Sequence, residues 1–151
     1  LQERNMKIQL IGFIDELPES TKQVVLKAVE DTKDNTGMVL TFALNYGSRA
    51  EIIEATKALA KEVQSGEISV EDINDEVFAS KLQTSFLGDL QDPDLMIRTS
   101  GEVRLSNFLL WQLAYCEYYF TDIFWPDFSE EDLHKAILTY QGRHRRYGGL
   151  A

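Results

Sequence analysis

Apolar positions change their spacing several times along the chain, and each change marks an element. Met6 to Ile11 (MKIQLI) is a short apolar-rich run closed by Gly12, as expected of a strand. Leu17-Pro18 then opens a stretch in which Val24, Val25, Ala28 and Val29 recur on one helical face. Asn35-Thr36-Gly37 is expected to stop that helix, with Gly37 in the left-handed C-terminal position. Val39 to Leu44 (VLTFAL) is nearly continuous apolar sequence, the pattern of a central parallel strand covered on both faces. Strand, helix, strand in this order is a βαβ unit with a right-handed crossover.

Asn45-Tyr46-Gly47-Ser48-Arg49 then falls at the carboxyl end of the second strand. The helix after it is predicted to run to Gly66, with Ile52, Thr56, Leu59 and Val63 on one stripe. Ser69-Val70-Glu71-Asp72 has the spacing of a capping box, opening a short helical region that ends near Leu82. Thr84 to Pro93 is loop-like. Glu117-Tyr118-Tyr119-Phe120 is aromatic and strand-like, and Trp125-Pro126 breaks it. Ser129 to Asp132 caps a last helix that carries Leu133, Ile137 and Tyr140. The expected architecture is α/β, a mostly parallel central sheet flanked by helices. With three or four strands the sheet is thin, incomplete and open at one edge. No repeat, low-complexity tract or linker interrupts it.

The stretch Asp94 to Phe108 (DLMIRTSGEVRLSNF) departs from a generic domain. Leu95, Met96 and Ile97 read as a buried strand that ends at Arg98. A polar loop from Thr99 to Arg104 follows, and Ser106 or Asn107 is placed to cap a helix over Ser106–Leu113. In α/β sheets, ligands bind beyond the carboxyl ends of strands. Two guanidinium forks, two hydroxyls and a helix start at that place suit a phosphate. Arg98 and Arg104 read equally well as surface arginines paired with nearby acids. Glu102, between them, either orients one arginine or balances charge.

Composition narrows the classes. The 151 residues are 44% hydrophobic, normal for one globular core. A net charge of −10 argues against nucleic-acid binding. The imbalance lies before Arg98: residues 1–97 hold 9 basic and 18 acidic side chains, against 6 and 7 in residues 98–151. An anion site must therefore be local. A single cysteine, Cys116, rules out an intrachain disulfide and suits a reducing cytoplasm. No apolar run approaches the roughly 18 residues that span a bilayer. Cys116 with His134 or His144 has no spacing of a nucleophile pair, two histidines and a cysteine make no zinc site, and no Walker or dinucleotide glycine motif occurs.

The string RTSGEVRLSNFLLWQ, with AYCEYYFTD, WPDF, IGFIDELP, NTGMVLTFALNYGSR and the closing RHRRYGG, resembles the cis-prenyltransferases, the undecaprenyl diphosphate synthase family. The resemblance covers nearly the whole chain. It implies a magnesium-dependent transferase that condenses isopentenyl diphosphate onto an allylic diphosphate such as farnesyl diphosphate. The product would be a long cis-polyprenyl diphosphate, the lipid carrier for cell-wall synthesis. Arg98, Arg104 and Ser106 match the family positions that bind isopentenyl diphosphate, with Leu105 contributing backbone. Glu117 matches the family's Mg²⁺-binding glutamate; read alone it is a capping or paired acid. Arg146 and Gly148 fit an Arg-x-Gly tail that reaches the partner subunit's diphosphate site; read alone, these cations complement a helix dipole.

The resemblance further implies a cytoplasmic homodimer, without a transmembrane segment, that associates with the membrane surface and hands its product there. The family has two successive glycines where this chain has Gly47-Ser48. Its catalytic aspartate lies in an Asp-Gly-Asn motif that occurs nowhere here. The expectation is therefore that residues 1–151 are the C-terminal portion of a single prenyltransferase domain, inactive alone. A non-catalytic partner subunit of the same fold, and a phosphate- or nucleotide-binding module, are the alternatives. Product length, primer and tunnel-lining residues are not legible.

Overall fold

A computed structural model describes residues 2–143. The chain divides into two compact units, Leu1–Phe86 and Leu87–Ala151. In the first, β1 (Lys7–Ile11) and β2 (Val39–Ala43) pair in parallel, Lys7 opposite Val39 and Ile11 opposite Ala43. Helix α1 (Glu19–Asp31) joins them, starting after Pro18, whose missing N–H costs nothing at a helix start. At its other end Thr32 is buried, and its hydroxyl accepts from the Ile8 amide at 3.0 Å while donating to the Ala28 carbonyl at 2.8 Å. One hydroxyl thus stops the helix and fastens it to β1.

Gly37 is not left-handed, contrary to the expectation. It is needed because a Cβ there would run into the Asn5 carbonyl, whose oxygen accepts the Gly37 amide at 3.0 Å. β2 also departs from the pattern of a strand covered on both faces: Val39 and Phe42 remain 40% and 44% exposed.

Helix α2 (Ser48–Ser65) ends at Gly66 as the sequence implies. Its buried stripe is Ser48, Glu51, Ala55 and Leu59. Thr56, placed on the inner stripe by hydropathy, is exposed. The stripe is rotated because a buried glutamate, Glu51, takes a position that apolar periodicity ignores. The capping box at Ser69 forms, but over a 3-10 turn, Val70–Asp72, and is followed by the short α3 (Asp75–Ala79). Ile8, Ile11, Ala55, Leu59 and Leu82 make the first unit's core.

In the second unit β3 (Leu95–Arg98) and β4 (Glu117–Phe120) pair in parallel, Leu95 opposite Glu117 and Arg98 opposite Phe120. Helix α4 (Glu130–Gln141) lies against β4 and carries a complete capping box: the Ser129 hydroxyl accepts the Asp132 amide, and the Asp132 carboxylate accepts the Ser129 amide at 3.0 Å. Met96, Leu109, Leu113 and Ala136 form the core.

The helix expected over Ser106–Leu113 is absent. Ser106, Asn107 and Leu109 stand at φ of 50°, 64° and 44°, a left-handed conformation that a continuous right-handed helix excludes. Single turns replace it, such as Leu113 N–H to Leu109 C=O at 2.9 Å. The apolar run FLLWQL has no helical period, and it drops Leu109, Gln112 and Leu113 into the core while Phe108 and Leu110 face outward. The expected strands are each in place, pairing in parallel as β1–β2 and β3–β4.

Candidate functional site

The carboxyl end of β3 holds the arginine pair. Arg98 is the last residue of β3, half-buried, and its Nη1 donates to the Arg104 carbonyl oxygen and, at 3.2 Å, to Ser106 Oγ. The loop between is anchored on the chain that follows β4. Ser100 N–H donates to Ile123 C=O at 2.8 Å, Gly101 N–H to Thr121 C=O at 3.0 Å, and Thr121 N–H returns to Arg98 C=O at 3.0 Å. The left-handed turn of Ser106, φ 50°, exposes its hydroxyl to the Arg98 guanidinium. What a helix cap was expected to do is done by an arginine side chain instead.

Arg98, Arg104 and Leu105 share a hollow of about 230 Å³ with Met96, Ile97 and Phe108. Its lining combines two guanidinium groups with apolar side chains. Each guanidinium carries five N–H donors, so two contacts from Arg98 Nη1 leave others on the same fork. Arg104 is 63% exposed at its side chain and ion-paired with Glu102, itself 39% exposed. Arg98, Arg104, Leu105 and Ser106 are thus brought together, although the helix start meant to join them is missing.

Glu117 lies elsewhere. It stands opposite Leu95, three register positions before Arg98, or about 10 Å along the strand direction. Partners in a parallel pair point to one face and alternate along each strand. Glu117 therefore shares a face with Leu95, Ile97 and Tyr119, and Arg98 with Met96, Tyr118 and Phe120. Three register positions along the strands and the alternation of faces thus separate Glu117 from Arg98 within this unit. Glu117 accepts from Arg143 Nη1 at 2.8 Å, and the same nitrogen donates to the Tyr118 carbonyl at 2.7 Å. Among the described residues no group of three His, Cys, Asp or Glu side chains is arranged to hold a metal ion. A single carboxylate already bound to a guanidinium does not make a magnesium site by itself. Arg146 and Gly148 lie outside the described residues.

A second hollow, about 440 Å³, is lined by Ile97, Thr99, Trp125, Phe128, Ser129, Glu130 and Leu133. Trp125 and Phe128 stack within it at 6.2 Å. In the first unit the carboxyl ends of β1 and β2 carry a buried hydrogen-bond chain instead. Tyr46 Oη donates to Glu51, the other Glu51 oxygen accepts the Gln83 amide at 2.8 Å, and Gln83 Oε1 accepts the Gly12 amide. Glu51, 1% exposed, was invisible to hydrophobic patterning. Its only sequence signal was a glutamate three residues into α2 on the side where Ala55 and Leu59 recur.

A parallel-stranded α/β protein with paired arginines at a strand's carboxyl end is one of the classes that bind phosphorylated ligands. The undecaprenyl diphosphate synthase family model, Prenyltransf, matches residues 1–148, and the chain belongs to that family. It is 57% identical over 150 residues to an isoprenyl transferase of Halalkalibacterium halodurans, across 99% of this chain and 57% of that protein. It is 55% identical over 150 residues to the ditrans,polycis-undecaprenyl-diphosphate synthase ((2E,6E)-farnesyl-diphosphate specific) of Micrococcus luteus, across 99% of this chain and 59% of that one. The crystal structure of lavandulyl diphosphate synthase from Lavandula x intermedia, in complex with dimethylallyl diphosphate, superposes with a TM-score of 0.91 at 38% identity, over 95% of this chain and 60% of its own. The chain thus spans less than two thirds of the length of these relatives.

Proposed function

We propose that the intact protein elongates a cis-prenyl chain, condensing isopentenyl diphosphate onto an allylic diphosphate, farnesyl diphosphate by analogy with the Micrococcus luteus relative. The product is a long polyprenyl diphosphate, the lipid carrier of cell-wall synthesis. Residues 1–151 form the C-terminal portion of a single prenyltransferase domain and are inactive alone. The match of one family model to residues 1–148 supports this, as does the 57% share of the Halalkalibacterium relative that the chain covers.

The observation that carries the reading is the Arg98 side chain bridging to the Arg104 backbone and to Ser106 beside an open hollow. Arg98 and Arg104 take the isopentenyl diphosphate group, Ser106 adds a hydroxyl donor, and Leu105 contributes backbone. Charge-assisted hydrogen bonds of this kind are worth about 1.5–3 kcal/mol each. Much of that is spent on orientation, since the carbon nucleophile must be held at reacting distance from the allylic carbon as pyrophosphate departs. Met96, Ile97 and Phe108 in the same hollow offer the isoprenyl end apolar contact.

Mg²⁺ is the proposed metal, and Glu117 supplies at most one of its ligands. Phosphate oxygens and waters would complete its shell. Within this unit Glu117 sits apart from Arg98 and is held by Arg143. The working form is proposed to be a cytoplasmic homodimer that receives Arg146 and Gly148 of the tail at a partner's site and passes its product to the membrane surface. No helix among the described residues is long and apolar enough to cross a membrane.

The test is incorporation of labelled isopentenyl diphosphate into butanol-extractable product by the full-length polypeptide with farnesyl diphosphate and Mg²⁺. Long-chain product supports the reading. Product only on addition of a second, different chain would assign a partner subunit. Binding without turnover would assign a phosphate-binding module.

A further inference from the structure

We infer that Glu102 is an internal counter-anion, holding the Arg104 guanidinium until an incoming diphosphate displaces it. The inference rests on the reading of Arg98 and Arg104 as a diphosphate site. The two arginines are held in different ways. Arg98 is half-buried and its Nη1 is committed to the Arg104 carbonyl and Ser106 Oγ, so its fork is fixed before any ligand arrives. Arg104 has its backbone fixed by that same contact, but its side chain is 63% exposed and, among the described residues, ion-paired with a carboxylate two residues away.

Two guanidinium groups on one small hollow repel each other unless an anion is present. Glu102 supplies that anion when no diphosphate is bound. Its anchorage favours exchange: an exposed ion pair contributes about 0–1 kcal/mol and is screened by salt. A diphosphate offers more negative charge and a geometry that fits the fork, so it wins the exchange. The carboxylate then swings into solvent, and it returns to Arg104 when the product leaves. A second acid stands near the loop without being part of this exchange. Asp122 Oδ1 lies 3.1 Å from where a Cβ on Gly101 would be. It provides a control for the general field of an acidic protein.

The experiment titrates inorganic pyrophosphate into the full-length polypeptide by calorimetry at low ionic strength. Variants are Glu102→Gln, Asp122→Asn, Arg104→Ala and the double variant Arg104→Ala/Glu102→Gln. Glu102→Gln is expected to tighten pyrophosphate about two- to fivefold, the equivalent of the ion pair it removes. Asp122→Asn should have a smaller effect. In the Arg104→Ala background, Glu102→Gln should leave affinity unchanged. Unchanged or weakened binding in Glu102→Gln overturns the inference in favour of an orienting role for Glu102. Equal tightening with and without Arg104, or by Asp122→Asn, overturns it in favour of bulk charge. Wild-type affinity in Arg104→Ala would instead remove Arg104 from the diphosphate site, and the inference with it.

Discussion

Glu51 and Glu102 both stand beside the carboxyl ends of parallel strands, and they do opposite work. Glu51 is fully buried, and both of its oxygens accept hydrogen bonds, from Tyr46 and from the Gln83 amide. Glu102 is only half-buried and holds one exposed arginine. A carboxylate taken out of water is tolerated only with its lone pairs satisfied, so it becomes a fixed part of the scaffold. A carboxylate left in water commits little energy to its partner and can let it go. The end of β1 and β2 is therefore built for rigidity, while the end of β3, on the proposed reading, is built for exchange with a ligand.

Substitutions sharpen this contrast by separating stability from activity. The largest effect on folding is expected at Gly12, whose φ of 114° is one that L side chains rarely adopt, and where a Cβ would run into the Leu44 carbonyl. Gly12→Ala should lower unfolding free energy by on the order of 3 kcal/mol or more, read by urea denaturation. Glu51→Leu comes next. It removes the carboxylate that accepts from the Tyr46 hydroxyl and the Gln83 amide, at about 0.5–1.5 kcal/mol or more for each hydrogen bond lost. Glu51→Gln keeps an acceptor for the Gln83 amide and should cost distinctly less. If Glu51→Leu melts like wild type, the buried network is not what holds these strand ends.

At β3 the expectation reverses. Arg98→Lys should leave the melting temperature within a few degrees, yet lower kcat/KM for isopentenyl diphosphate in the full-length enzyme by tenfold or more. A point charge cannot hold Ser106 and the Arg104 carbonyl while also presenting a fork. A large stability loss with intact kinetics would make Arg98 a scaffold residue like Glu51 and erase the contrast.

The smallest effect concerns α4. The Ser129 hydroxyl and amide, with a further contribution from Lys135, hold the Asp132 carboxyl below its ordinary pKa. A group whose folded pKa is depressed stabilises the fold above its unfolded pKa, about 3.9 for an aspartate. That contribution is lost as pH falls through the lower, folded value. The melting-temperature gap between wild type and Asp132→Asn should be constant above about pH 5 and close as pH falls below about 4. A gap independent of pH would show that the carboxylate is not the stabilising species.

Much of this was legible in the sequence. Apolar runs located all four strands, because Leu10, Phe42, Met96 and Tyr118 sit in stretches too short and too apolar for a helix. Capping boxes at Ser69 and Ser129 were readable since they depend on two residues at fixed spacing. The gathering of Arg98, Arg104, Leu105 and Ser106 was also expected, but the device that achieves it was not. Three left-handed residues replace a helix start, and left-handed Ser106, Asn107 and Leu109 leave no signature in hydropathy. Glu51 escaped for a related reason: periodicity counts apolar positions, and a satisfied buried carboxylate looks like a surface one. The family resemblance gave Glu117 a metal role beside the diphosphate held by Arg98 and Arg104. Strand register, which no motif encodes, put it at the other end of the pair.

The claim on which the rest depends is that Arg104 grips a diphosphate through its fork. Steady-state kinetics of Arg104→Lys in the full-length enzyme tests it most directly, with isopentenyl diphosphate as the varied substrate and farnesyl diphosphate saturating. The account predicts a drop in kcat/KM of more than tenfold with unchanged melting temperature. Kinetics within twofold of wild type would contradict it.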